Sequence, residues 1–215
     1  MAIGIPSAPL EQTISYAHRV DVLLVIAHPC ADSFCHAAAQ SALVALVRAG
    51  HAVDVIDLYA DGFRAAMSLD EWVAYQSGDP ILDPLVRGYS DRLLRAQILV
   101  FVYPTWWSGL PAILKGWLER VMVPGVGFTF DERTGTVRPG LRQVRRIVGI
   151  STYGSPRSYV RLVNDNGRRM LTRALWMSCG LRVRRRWHGL YAMDTATDAQ
   201  RKAFLERIER SMAKL

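Results

Sequence analysis

VYPTWWSGLPAILKGWLERV, residues Val102 to Val121, carries a strand end, a loop and the start of a helix in one continuous run. The apolar residues from Gln97 to Tyr103 read as a buried strand, and Pro111 suits the first turn of the helix that follows. Leu114, Trp117, Leu118 and Val121 then form the apolar stripe of that helix, while Lys115 and Glu119, four apart, read as a surface ion pair. Pro104, Thr105, Trp106, Trp107 and Ser108 are thereby placed at the carboxyl end of a strand. In an open parallel sheet that edge is where ligands bind. Two adjacent tryptophans offer flat surface and backbone N–H groups to a planar heteroaromatic ring rather than to a metal, although most tryptophans serve the core.

Working outward, the chain alternates strand and helix. Strands are expected at Val20–Ala27, Ala52–Leu58, Gln97–Tyr103, Arg146–Ser151 and about Arg182–His188. Helices are expected at Phe34–Ala49, Ser68–Gln76, Asp83–Arg95, Pro111–Met122, about Tyr159–Cys179 and about Thr197–Lys214, with an Arg/Gly-rich hairpin-like stretch after GFTF. Ser68 and Glu71 have the spacing of a capping box. Five β units with intervening helices imply an α/β, doubly wound, five-stranded parallel sheet in the flavodoxin-like order 2-1-3-4-5, with helices on both faces. A single domain from residue 20 to 215 is expected, preceded by an N-terminal arm, residues 1–19.

Composition narrows the setting. The apolar runs Val22–Ala27 and Ile98–Val102 are strand-sized, far below the roughly 20 residues that span a bilayer, so no membrane insertion is expected. No basic start followed by an apolar block marks a secretory signal. Cys30, Cys35 and Cys179 are odd in number and form no Cys-x-x-Cys pair, which fits a reducing, cytoplasmic compartment. The net charge of +8 is uneven: Arg133 to Arg186 holds fourteen arginines and one acid, Asp165. No nucleic-acid-binding pattern accompanies them, and no nucleic-acid partner is expected. A solvated basic face is the simple reading; a sharper one has one or two arginines, Arg157 first among them, attracting nucleotide phosphates or the 2′-phosphate of NADPH.

Two further loops carry chemistry. The first βα turn, AHPCADSFCHAA, places the Ser33 hydroxyl and the N–H groups around Phe34 and Cys35 at a helix N-terminus, which suits a phosphate or serves as a plain N-cap. It lacks the glycines of a Walker or dinucleotide loop. His28, Cys30, Cys35 and His36 lie close in sequence, but their spacing matches no recurring zinc pattern, and no metal is expected. After the fourth strand, STYGSP brings Ser151, Thr152, Tyr153 and Gly154 to the same edge, where backbone N–H groups at Thr152, Tyr153 and Gly154 can stabilise negative charge on a bound flavin. Tyr159 offers a hydroxyl nearby.

The motifs HPCADSFCHA (His28–Ala37), DLYADGF (Asp57–Phe63) with SLDEW, YPTWWSGLPAILKGWLERV, GFTF and STYGSP together resemble the NAD(P)H:quinone oxidoreductases of the flavodoxin-like superfamily. The resemblance implies a non-covalent flavin, FAD or alternatively FMN, and a homodimer with its active site at the subunit interface. His28, Ser33, Phe34 and Cys35 would hold the flavin phosphate region. Pro104, Thr105, Trp106 and Trp107, with Ser151, Thr152, Tyr153 and Gly154, would contact the isoalloxazine. Tyr159, Trp107 and Tyr153 would be the catalytic contacts. Cys35 stands where the family commonly has asparagine and Tyr153 where several members have glycine, and Asp165 lies close to the place of a family histidine. The implied activity is a two-electron, ping-pong transfer of hydride from NAD(P)H through the flavin to a small quinone-type acceptor. Alternatives are an azo- or nitroreductase on the same flavin, or a flavoprotein regulatory subunit of a potassium-efflux-type transporter.

Overall fold

The computed structural model describes residues 19–76 and 78–215, so nearly all of the expected N-terminal arm, residues 1–18, lies outside the described residues. The elements run β1 (Asp21–Ile26), α1 (Phe34–Arg48), β2 (Ala52–Asp57), α2 (Leu69–Ala74), α3 (Pro84–Arg95), β3 (Ile98–Thr105), α4 (Ala112–Val121), β4 (Phe128–Phe130), β5 (Val137–Pro139), β6 (Arg146–Tyr153) and α5 (Arg157–Leu162). There follow α6 (Asn166–Arg169), a π-helical turn (Met170–Leu175), α7 (Trp176–Cys179), β7 (Arg184–Leu190) and α8 (Asp198–Met212). The main sheet has the order β2-β1-β3-β6-β7, parallel throughout, which is the expected 2-1-3-4-5 arrangement. The hairpin-like stretch is an antiparallel pair, β4 with β5, outside that sheet.

Alternation along the strands sorts the core into two layers, since successive side chains point to opposite faces. Val22, Leu24, Ile26, Ile98, Val100, Val102, Val148 and Ile150 pack under α1 and α8. Leu23, Val25, Leu99, Phe101, Tyr103 and Ile147 pack on the other face, under residues of α3, α4 and the helical run after Gly167. Both faces are covered, and the central strands accordingly read as continuous apolar runs.

Local signals set the boundaries. Ser33 caps α1 through the amide of His36, Ser68 and Glu71 form a reciprocal capping box on α2, and Asp83 caps α3 ahead of Pro84. The single helix expected over Tyr159–Cys179 is instead broken. Asn164 and Asp165 both have positive φ, 75° and 44°, which ends α5 and restarts the helix as α6. Short polar side chains tolerate that conformation best, and an Asn-Asp-Asn-Gly run supplies them. The last strand also lies two residues further along than expected.

Helix α4 docks closely on the segment before α2. A Cβ built on Gly116 would come within 2.3 Å of the Ala65 carbonyl oxygen, a backbone atom that cannot swing aside. Gly116→Ala is therefore expected to lose about 1–3 kcal/mol of stability, read as a thermal midpoint lowered by several degrees. An unchanged midpoint would show that α4 can lift from the segment without cost.

Candidate functional site

The strand order reverses at β1 and β3, since the chain proceeds from β1 to β2 on one side and from β3 to β6 and β7 on the other. Loops leaving the carboxyl ends of these strands diverge and open a crevice. Three loops meet there, after β1, β3 and β6, and side-chain contacts tie them together. Thr105 and Ser151 share a hydroxyl–hydroxyl hydrogen bond of 2.9 Å between the ends of β3 and β6, which feed the second and third loops. The Cys35 thiol lies 3.7 Å from the Thr152 hydroxyl, joining the start of α1, just after the first loop, to the end of β6. His28 sits 6.1 Å, ring centre to ring centre, from Trp106, joining the first to the second.

The loop after β3 is held in an uncommon shape. Trp107 and Ser108 have φ of 46° and 58°, and Trp106 and Gly109 close around them, with the Gly109 N–H donating to the Trp106 carbonyl at 2.9 Å. Primed hairpin turns of this sort usually carry glycine or asparagine at their centre. A residue other than glycine costs roughly 1–2 kcal/mol there. The consequence is the position of Trp107, whose side chain is fully exposed while Tyr103, four residues earlier, is fully buried. A large indole held free of the core on a strained turn is suited to a planar ligand.

Beside it is a cavity of about 300 Å³ walled by Thr105, Trp107, Ser108, Tyr153, Gly154, Tyr159 and Asp165, among others. Tyr159 is half exposed and presents its side chain to this space. Tyr153 behaves differently. It is buried, its hydroxyl donates to Asp165 Oδ1 at 3.1 Å and accepts from the Trp187 indole N–H at 3.1 Å, and its ring stacks on Tyr191 at 4.6 Å. Thr152 and Tyr153 also lie inside β6, in register with Pro104 and Thr105, so Gly154 is the first residue of the loop itself. A Cβ on Gly154 would meet only the end of the exposed Asp194 side chain, at 3.0 Å.

At the first loop, α1 begins with Phe34 and Cys35, whose N–H groups have no acceptor within the helix. Ser33, the cap, hydrogen-bonds His36 Nδ1 at 3.0 Å, and His36 Nε2 meets Asp57 Oδ2 at 2.9 Å. Asp57 Oδ1 also accepts the amides of Tyr59 and Ala60, which fixes the loop after β2. The Phe34 side chain turns away from the crevice and packs on Phe204 of α8, leaving its backbone as the part that faces a ligand. Burial lowers the His28 pKa, the Cys30 backbone hydrogen bond partly opposes that, and His36 lowers it further. His36, Cys35 and His28 thus engage separate partners, and among the described residues no group of three or more His, Cys, Asp or Glu converges on a metal position.

The sequence profile of the Flavodoxin_2 family, described as a flavodoxin-like fold, matches residues 21–212. The chain belongs to the Flavodoxin_2 family. Within it, the chain is 31% identical over 154 residues to the NAD(P)H dehydrogenase [quinone] 1 of Rattus norvegicus, an alignment covering 64% of this chain and 55% of the relative. It is 33% identical over 134 residues to an uncharacterized NAD(P)H oxidoreductase of Haemophilus influenzae, covering 62% and 64%. The chain therefore spans about half to two-thirds of the length of these relatives. Among solved structures, the NAD(P)H:quinone oxidoreductase from Methanothermobacter marburgensis superposes with a TM-score of 0.75 at 25% identity, over 92% of this chain and 96% of that one. The expected resemblance to the NAD(P)H:quinone oxidoreductases and the expected flavodoxin-like fold are both supported.

For this Flavodoxin_2 chain, the residues that sequence reasoning undervalued are Asp57, His36, Trp187 and Tyr191. The sequence offers His36 as a metal-ligand candidate, while its i, i+3 spacing from Ser33 on a capped helix is the signal for the contact it makes. Asp165, which the sequence marks only by its position, is the carboxylate of the Tyr153 cluster. Burial raises its pKa, and the Tyr153 hydroxyl and Arg168 only partly offset that.

The three thiols separate by environment. Cys30 is exposed, whereas burial pushes the Cys35 thiol up to about 11, despite a lowering contact from Thr152, and the Cys179 thiol up to about 12. At pH 8 a thiol at 11 is ionised to about one part in a thousand, and the thiolate is the nucleophile. Ellman's reagent should therefore label Cys30 rapidly and all three thiols only in denaturant. Rapid native labelling of Cys35, located by mass spectrometry, would contradict the buried contact with Thr152.

Proposed function

We propose that this protein is a flavin-dependent NAD(P)H oxidoreductase that reduces a quinone-type acceptor. The observation that carries the reading is Trp107, fully exposed on a left-handed turn beside a cavity at the strand-order reversal. The relatives named as quinone dehydrogenases and the family membership support it. A bound flavin supplies the two-electron redox chemistry, and the protein supplies position and electrostatics.

The residues divide the work. Ser33 and the first-turn amides of Phe34 and Cys35 suit the flavin phosphate, since a helix N-terminus favours anions. Pro104 to Trp107 and Ser151 to Gly154 line the ring edge. Trp107 excludes water from one side, and the Tyr159 hydroxyl is placed to donate a hydrogen bond to the acceptor's oxygen. Asp165 holds the Tyr153 hydroxyl in place at 3.1 Å, so that the cavity floor presents an aromatic edge rather than a mobile phenol. FAD is the preferred form, with FMN as the alternative. A homodimer belongs to the same proposal, supported by the open aromatic side chains of Trp107 and Phe130. The free thiols fit a cytoplasmic setting. No helix among the described residues is long and apolar enough to cross a membrane.

The test is the visible spectrum of flavin-reconstituted protein during anaerobic NADPH titration, followed by turnover on quinone, azo and nitro acceptors. Stoichiometric bleaching and fastest turnover on quinone are expected, with parallel lines in steady-state plots. Failure to take up flavin would overturn the reading. Faster turnover on azo or nitro compounds would move the acceptor class and leave the flavin standing.

A further inference from the structure

Beyond the crevice, the basic segment does not spread evenly over the surface. Arg157, Arg161, Arg168, Arg169, Arg173 and Arg185 line one cleft of about 300 Å³, together with Asn164, Thr172 and Tyr191. Among the described residues only one carboxylate, Asp165, lines that cleft, and it is already engaged by the Tyr153 hydroxyl. Among the described residues, Arg168 alone of the six forms an ion pair, at 3.9 Å to Asp165. Several arginines elsewhere are paired, Arg87 with Asp79, Arg92 with Asp54 and Arg120 with Glu71 and Asp83, while Arg146, Arg184 and Arg186 line a second groove with Arg185. So many guanidinium groups around one space repel each other and raise a strongly positive local potential.

Several are also fixed in place. Arg157 lies over the Tyr191 ring at 5.9 Å and Arg168 over Trp187 at 5.8 Å. Arg185 stacks on Trp176 at 4.3 Å and donates to the Thr172 carbonyl at 2.8 Å. Guanidinium groups held on aromatic faces lose less freedom when they grip an oxyanion, and their fork geometry matches phosphate. The cleft adjoins the candidate redox cavity, because Val160 and Asp165 are walls of both. The two spaces are therefore close enough for the two ends of one dinucleotide.

We propose that this arginine-lined cleft binds the 2′-phosphate of the reduced dinucleotide and so selects NADPH over NADH; the inference rests on the function proposed above. A dinucleotide whose nicotinamide end occupies the cavity at Trp107 and Tyr159 has its adenosine end free to reach the neighbouring space. The 2′-phosphate is the one group that distinguishes NADPH from NADH, and a dianion is what this cleft lacks.

The experiment measures binding of adenosine 2′,5′-bisphosphate, 5′-AMP and inorganic phosphate by calorimetry, alongside kcat/KM for NADPH and NADH. The bisphosphate is expected to bind at least tenfold more tightly than either other probe, with affinity falling as salt is raised. In Arg161→Ala/Arg173→Ala, affinity for the bisphosphate should fall by about tenfold or more, as removal of charge-assisted hydrogen bonds predicts. The NADPH-to-NADH ratio of kcat/KM should fall to match. Both side chains are exposed, so the variant should fold, which its thermal midpoint will show; Arg161→Lys/Arg173→Lys, which keeps the charge, should retain part of the affinity. Arg142→Ala, outside the cleft, should leave bisphosphate affinity as it was. Absence of bisphosphate binding, equal binding of 5′-AMP or phosphate, or an affinity unmoved in the double alanine variant would overturn the proposal. If NADH bleaches the flavin but the bisphosphate does not bind, the selectivity falls and the oxidoreductase stands. If flavin does not bind while the bisphosphate does, the oxidoreductase reading falls and the cleft remains a site for a 2′-phosphorylated nucleotide.

Discussion

Arg120→Ala is expected to remove about 3–5 kcal/mol of stability. Arg120, on α4, is buried, and its guanidinium donates to Glu71 Oε1 at 2.8 Å through Nε, to Asp83 Oδ2 at 2.7 Å, and to the Arg64 carbonyl at 2.5 Å. It also lies over the Phe63 ring at 5.1 Å. Four chain segments therefore meet on one side chain. Truncation leaves Glu71 buried and uncompensated, and that uncompensated charge, rather than the lost attraction, makes the cost large. Arg120→Ala/Glu71→Gln should recover part of the loss, and urea midpoints of the two variants check this. The pH dependence has a definite sign. Burial alone would raise the Glu71 and Asp83 carboxyls, but the capping amides and Arg120 outweigh it, and both end below the ordinary range. Their contribution is therefore complete above the unfolded value of about 4 and is lost as pH falls through the lowered folded values. The gap between wild type and Arg120→Ala should narrow in acid; a gap constant from pH 7 to pH 2 would mean the carboxylates are not coupled to Arg120.

Trp107→Ala is expected to weaken flavin binding by roughly tenfold to a hundredfold, taking aromatic stacking at about 1–3 kcal/mol. Thermal stability should stay within about 0.5 kcal/mol, as for an exposed residue without core contacts. The two readouts must separate, because the indole touches solvent rather than the core. Fluorescence titration with FAD and with FMN gives the first, and thermal unfolding of the flavin-free protein gives the second. Unchanged flavin affinity would remove Trp107 from the site. A large stability loss with it would show that the turn is held by the side chain, against the exposure seen here.

Much of this was legible because the strands are buried on both faces and so read as unbroken apolar runs. Ile98 to Val102 and Val22 to Ile26 could be recognised without alignment, and the capping spacing of Ser68 and Glu71 located α2. The three crevice loops followed from those strand ends. What could not be read was set by neighbours distant in sequence. Tyr153 lines the cavity, but β6 runs two residues further than its apolar pattern suggests, in register with β3, and Trp187, Tyr191 and Asp165 engage its ring and hydroxyl in a way no local pattern signals. The break at Asn164 and Asp165 was missed because helical periodicity continues on both sides of it. His36 and Asp57 are 21 positions apart, and their pairing depends on α1 and β2 lying side by side in the fold.

The π-helical turn from Met170 to Leu175 changes the phase of the residues around it. An α-helix advances about 100° per residue, so side chains five apart, such as Arg168 and Arg173, point well away from each other. A wider turn, with its i to i+5 hydrogen bonds, brings them back toward one side, and both line the same cleft. The pitch of one helical turn, rather than the identity of any added residue, thereby gathers this charge. The same residues wound at the ordinary pitch, with none removed, would place Arg173 about 140° from Arg168 around the axis and disperse the cluster with every arginine still present.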